Sequence, residues 1–326
     1  SVRNCASEYP TNSMDRGLCF WAYFGGHVPG GTASNENGER VAESMLSVAA
    51  RHWTSIDHGA GITLSGTSYG GTGGILLSMS IPRIQRQISV VQANVPYTLF
   101  LETYYRRNSQ MMVSWRGVNV NEVDFRKVAP TGAVDHIFYR VHGGYQDDGA
   151  NNTDFYRICN SHKIACLGTW HGGGHEFVEA GVSMPSDLYP GDPNMQARLD
   201  TVLPVFTNST GNSPLDAPRG HYNLGLSWNT RGIVDEADKL AVPLKYRALK
   251  HFSASSDKPM ADMPDAITAS VTLRRAQVFP IAPGKKYNWR FGEQSGVVQA
   301  DARKPEVTFD GLRFASSEQR YTMLTL

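Results

Sequence analysis

From roughly residue 15 to residue 180, apolar runs of strand length alternate with longer stretches whose apolar residues recur three and four apart. The first run, "GLCFWAYFGG" (17–26), is closed by glycines. In "NENGERVAESMLSVAARHW", Val41, Met45, Val48, Ala49 and His52 share one helical face, and the Asn-rich start suits a helix N-terminus. "GITLSG" predicts a strand, "GTGGILLSMS" a helix start despite its glycines, and "RQISVVQANV" another strand. A mixed segment, read as largely helical, leads to a strand in "DHIFYRVHGG" (Asp135–Gly144), a helix in "NTDFYRICNSH" and a strand in "KIACLGTW". Strands alternating with helices predict a parallel sheet with helices on both faces.

From about Thr201 the pattern changes to short alternating runs between turn signals: "YNLGLSW", "ASVTLRRAQVF", "YNWRF", "GVVQAD", "EVTFDGLRF" and "RYTMLTL". These predict an antiparallel, sandwich-like β unit. "VSMPSDLYPGDPN" between the two regions reads as a connecting loop. The expected division is a catalytic domain over 1–185, a linker over 186–200 and an all-β domain over 201–326.

Composition adds limits rather than direction. With 31 basic and 30 acidic residues the formal charge is +1, which gives no electrostatic footprint for nucleic acid. No apolar run approaches the roughly 20 residues needed to span a bilayer. The four cysteines fall into two close pairs, Cys5 with Cys19 and Cys159 with Cys166. Local pairs predict two disulfides and a secreted or periplasmic location, against four buried free thiols. Neither pair has zinc-type C-x-x-C spacing, so no metal is expected. The first residue is Ser1, and no signal segment is visible, as in a processed chain. The glycosylation sequons at Asn151 and Asn208 carry little weight, because such matches are frequent by chance.

The most informative stretch is Gly66-Thr67-Ser68-Tyr69-Gly70, a G-x-S-x-G between an expected strand and an expected helix. A sharp strand-to-helix turn leaves no room for side chains two residues either side of the serine, which accounts for the glycines. The turn lifts the Ser68 hydroxyl above the sheet, and the following helix aims the Tyr69 N–H at a developing oxyanion. A serine hydroxyl needs a base, itself oriented by an acid. "VHGGYQDDGAN" supplies Asp147 and Asp148 beyond one strand, and "GTWHGGGHEF" supplies His171 and His175 beyond the next.

Through "GTSYGG", "HGGYQDDGAN" and "GTWHGGGHEF" the chain resembles the α/β-hydrolase superfamily over roughly 17–177. The resemblance implies an α/β-hydrolase sheet with flanking helices, followed here by the C-terminal β unit, and a carboxylesterase-like activity that uses no cofactor. It implies Ser68 as nucleophile and favours Asp147 as acid, three residues after Gly144 and three before Ala150, with Asp148 as alternate. It favours His175 as base, in "GGGHEF", with His171 as alternate. The "G-x-S-Y-x-G" and Trp-near-His pairing is also similar to cocaine-esterase-like and X-prolyl-peptidase-like hydrolases, although the C-terminal half departs from their jelly-roll pattern.

Only one clear strand precedes "GITLSG", fewer than that family carries. Two explanations remain open. A second chain supplies the first strands, or "FGGHVPGG" supplies the second oxyanion donor from Gly25 or Gly26. The expected substrate is an ester, which the sequence does not restrict to a small molecule or a polymer. The rivals are a serine peptidase, with Glu36, Glu39 and Asp154 available to hold a peptide N-terminus, and a non-catalytic carbohydrate- or surface-binding protein. Aromatics in "RGHYNLGLSWNT" and "KKYNWRF" fit either sugar stacking or the unit's own core, and Arg274 and Arg275 suit an anchor between the two regions.

Overall fold

The structure, a computed structural model, describes residues 2–4, 18–20, 44, 47–48, 51, 58–67, 69–80, 82–94, 124–144, 152–171, 195–250, 262–317 and 319–326. Strands β1 (Val2–Asn4) and β2 (Leu18–Phe20) form a separate antiparallel pair with Arg3 opposite Cys19.

The central sheet starts with β3 (Ile62–Thr67), β4 (Ile88–Asn94), β5 (Phe138–Gly144) and β6 (Ala165–His171), all parallel and adjacent in that order. The connections carry helix α1 (Tyr69–Ser80), the single turns α2 (Pro82–Gln85) and α3 (Phe125–Val128), and helix α4 (Asn152–His162). α3 begins at Asp124, whose carboxylate accepts from the Arg126 N–H at 2.9 Å, a side-chain N-cap.

The remaining strands are β7 (Leu203–Thr207), β8 (Gly220–Tyr222), β9 (Leu226–Trp228), β10 (Val234–Asp235), β11 (Leu240–Tyr246), β12 (Ala266–Arg274), β13 (Lys286–Phe291), β14 (Gln294–Gln299), β15 (Val307–Ala315) and β16 (Thr322–Thr325). β8 joins the central sheet antiparallel to β6. β15, β12 and β7 make a three-stranded antiparallel sheet, and β10, β11, β16, β13 and β14 make the path of a six-stranded one that also includes β9.

Alternation along the parallel strands sends side chains to two different cores. Val91, Ala93, Tyr139, Val141, Cys166 and Trp170 face α1 and α4, where Ile75, Met79, Phe155 and Tyr156 meet them. Ser78 pins α1 to β5, with its hydroxyl 2.8 Å from that of Tyr139, and burial raises the Tyr139 phenol. On the opposite face, Val90, Phe138, Ala165 and Leu167 pack into the core of the C-terminal strands. Phe138 meets Trp228 edge-on there, with ring centroids 5.4 Å apart.

This arrangement corrects the expected fold class. The protein is mostly β, and its sheets are mixed and antiparallel. It is not a helix-flanked α/β-hydrolase core followed by a β-sandwich. The physical reason lies in the second face of the central sheet. The strand sequences require apolar cover on both faces, and β7, β9, β11 and β12 supply it on one of them instead of helices.

Other elements fall where the pattern predicts. The strand, helix and strand expected over 61–94, and those expected over 135–170, correspond to β3, α1 and β4, and to β5, α4 and β6. The aromatics of the C-terminal half divide toward the core reading, since Tyr222, Trp228 and Tyr287 are buried. The Arg pair does anchor. Arg274 Nη1 donates to the carbonyl of Asp135 at 3.1 Å and Arg275 Nη1 to that of His136 at 3.3 Å, just ahead of β5. Among the described residues no helix is long and apolar enough to cross a membrane.

Candidate functional site at the carboxyl edge of the parallel strands

Because β3 to β6 run parallel, their carboxyl ends share one edge of the sheet, the edge at which open sheets with parallel strands usually hold ligands. β3 ends at Thr67 and α1 starts at Tyr69, so one residue, Ser68, lies between strand and helix. Ser68 itself is outside the described residues. Tyr69, the expected oxyanion donor, is the first residue of α1, where backbone N–H groups have no partner within the helix. α1 sits close on the sheet. A Cβ on Gly74 would lie 3.7 Å from side-chain atoms of Leu64 on β3 and Val91 on β4.

β5 ends at Gly144 and β6 at His171, opposite one another in register. The segments that carry Asp147, Asp148 and His175 leave the sheet from this edge, and those three residues lie outside the described ones. His171, the alternate base, is the last residue of β6. Gly25 and Gly26, offered for the second oxyanion donor, are also outside, as are Glu36 and Glu39. Asp154, the remaining acid considered for a peptide N-terminus, is ion-paired with Arg157 one turn along α4.

One set of residues near this edge escaped the sequence reading. The register joins Thr67, Asn94, His142, Thr169 and His221 in one row across all five strands. His142 Nδ1 is 2.5 Å from Thr169 Oγ1. Thr169 is fully buried, and on its other side His221 is 5% exposed with no partner for Nδ1. Burial alone depresses the His221 imidazole from its usual 6.5 to about 4, so the ring is neutral at pH 7. The available signal was one polar residue near the end of each strand, in "LSGT", "QAN", "RVH", "LGTW" and "GHY". Single polar residues at strand ends are too common to be read as a row without the register.

The cysteine expectation is corrected in part. Cys159 on α4 and Cys166 on β6 are free, buried thiols and form no bridge. Both side chains face the helix-side core, and the Cys166 thiol is pushed well up by burial and by contact with Cys159. Cys5 lies outside the described residues, and Cys19 sits on β2.

No protein family, no curated protein and no solved structure matches the chain.

Proposed function

We propose that the protein is a serine hydrolase that cleaves an ester through an acyl-enzyme on Ser68. The observation that carries this reading is the placement of a single residue between β3 and α1, at the edge where β4, β5 and β6 also end. A hydroxyl there stands at a helix N-terminus, where partial positive charge and unspent N–H groups favour a developing oxyanion.

The reaction runs as two acyl transfers. Ser68 Oγ attacks the ester carbonyl while an imidazole, His175 in this reading, takes the hydroxyl proton. The Tyr69 N–H stabilises the oxyanion, and one such donor contributes about 2.7–4 kcal/mol in serine hydrolases. The C–O bond to the alcohol breaks as the imidazolium returns the proton to it. Water then repeats the sequence and releases the acid and free Ser68. Asp147 orients the imidazole and stabilises its charged form. Asp147 follows Gly144 by three residues and His175 follows His171 by four, so both segments leave from the edge at which β3 also ends.

The test is covalent labelling with a fluorophosphonate, read by intact mass, on wild type and Ser68→Ala. We expect one adduct in wild type and none in the variant. Wild type that gains no mass, or a variant that gains the same mass, overturns the assignment of Ser68. Turnover of p-nitrophenyl esters but not of aminoacyl-p-nitroanilides is the expected substrate result.

A further inference from the structure

A cavity of about 370 Å³ lies on the flank of the molecule, between α4 and the turns that follow β7. α4 runs back against the strands and ends at His162, ahead of the start of β6, and it is the C-terminal half of this helix that lines the cavity. The cavity is therefore remote from the carboxyl edge and independent of the Ser68 reading. Its size is within the common range for small-molecule sites, about 300–1,000 Å³.

The walls are held in place before any ligand arrives. Asn160 Oδ1 accepts from the Asn208 backbone N–H at 2.7 Å and from the Tyr222 hydroxyl at 2.9 Å. Asn160 Nδ2 donates to Asn208 Oδ1 at 2.8 Å. Tyr222 is stacked on Tyr156 with ring centroids 5.0 Å apart, so its hydroxyl cannot wander. Asn208 adopts a left-handed backbone, φ 50°, which this pair of bonds fixes. Asn212 Oδ1 is likewise committed, to the Asn223 N–H at 2.6 Å.

The bonds already made leave a defined remainder. Both amide carbonyls, of Asn208 and Asn212, are engaged, and both amide N–H₂ groups are unspent among the described residues. Ser209 Oγ accepts from the Gly211 N–H at 3.2 Å and keeps its own proton to donate. The Tyr222 oxygen keeps a lone pair. The charge of Arg157, the one charged residue in the wall, is already matched by Asp154. Leu215 is the one aliphatic residue of the wall. Asp154, just outside the wall, offsets the wall's one charge, which disfavours a dedicated anion site, and every lining residue but Leu215 carries a polar side-chain group. Several donors held beside a few hydroxyl and carbonyl acceptors suit a ligand covered in hydroxyl and ether oxygens.

We propose that this cavity is a binding site for a neutral saccharide unit, recognised by the Asn208 and Asn212 amides. The test is a titration of the intact protein with methyl glycosides of glucose, galactose and mannose, followed through the side-chain amide resonances of Asn208 and Asn212. We expect saturable shifts with at least one glycoside. Asn212→Ala and Asn208→Gly, the latter keeping the left-handed backbone available, should each weaken binding by roughly five- to tenfold, the loss of one hydrogen bond. Thermal melts establish that both variants are folded. The proposal is overturned by the absence of saturable shifts, by binding that survives both substitutions unchanged, or by an equal response to inorganic phosphate.

Discussion

The hydroxyl of Tyr156 occupies the space in which any side chain at position 168 would begin. A Cβ on Gly168 would stand 2.0 Å from Tyr156 Oη and 2.1 Å from the carbonyl oxygen of Val141, to which that hydroxyl donates at 2.9 Å. The glycine lets α4 lie on β5 and β6 at this distance. Gly168→Ala should cost about 3 kcal/mol, the upper range for overpacking a close contact, read as a shift in urea midpoint at unchanged slope. Tyr156→Phe should cost about 1 kcal/mol. The double variant should be more stable than the two losses summed, because removing the hydroxyl relieves one of the two clashes. Simple additivity would sink this account.

Arg274 Nε donates to Glu306 Oε2 at 2.6 Å, and both side chains are 7% exposed. The same guanidinium reaches the Asp135 carbonyl, so one buried pair ties the end of β12 to the residue just ahead of β15 and to the entry of β5. Arg274→Met leaves the Glu306 carboxylate buried without its partner and should cost about 3–5 kcal/mol. Arg274→Met with Glu306→Leu removes both charges and should recover much of that loss. The measurement is a double-mutant cycle in urea. A double variant as unstable as the single one would mean that the tie to Asp135, and not the ion pair, carries the effect.

Two free thiols buried beside each other predict a specific chemical behaviour. Without reductant, Cys159 and Cys166 should resist alkylation in the native protein and both react after denaturation, because both sulfurs are buried away from the reagent and burial also disfavours the Cys166 thiolate. Peptide-resolved mass spectrometry of the unreduced digest reads this directly. A disulfide-linked peptide joining the two would contradict the structure.

How far the sequence could be read differs between local and global features. β3, α1 and β4 were visible because glycine punctuation and apolar runs act over a few residues, and the same holds for β5, α4 and β6. What covers the second face of their sheet was not visible. Val90, Phe138 and Leu167 look the same in sequence whether a helix or a strand packs on them, and here the partners come from far later in the chain, such as Trp228 against Phe138. The Cys159–Cys166 spacing suggested a bridge because sequence separation reports proximity and not oxidation state. The polar row from Thr67 to His221 depends on register across five strands, which no local pattern contains.

His221 predicts the acid limb of stability. Its imidazole titrates near 6.5 when the chain is unfolded and near 4 in the fold, because burial disfavours the charged ring. Between those values the unfolded chain binds a proton that the native state does not, so native stability falls as pH falls. The contribution is complete above about pH 6.5, declines through the interval and is lost below about pH 4, amounting to about 3 kcal/mol. His136, also depressed mainly by burial, acts with the same sign. Urea midpoints for wild type and His221→Gln between pH 7.5 and 4 should therefore diverge, with the variant losing less stability on acidification but keeping a residual slope from His136. Parallel curves would place the ring in an environment where it can charge without penalty, and would contradict the buried imidazole with its unpartnered Nδ1 at the end of the polar row.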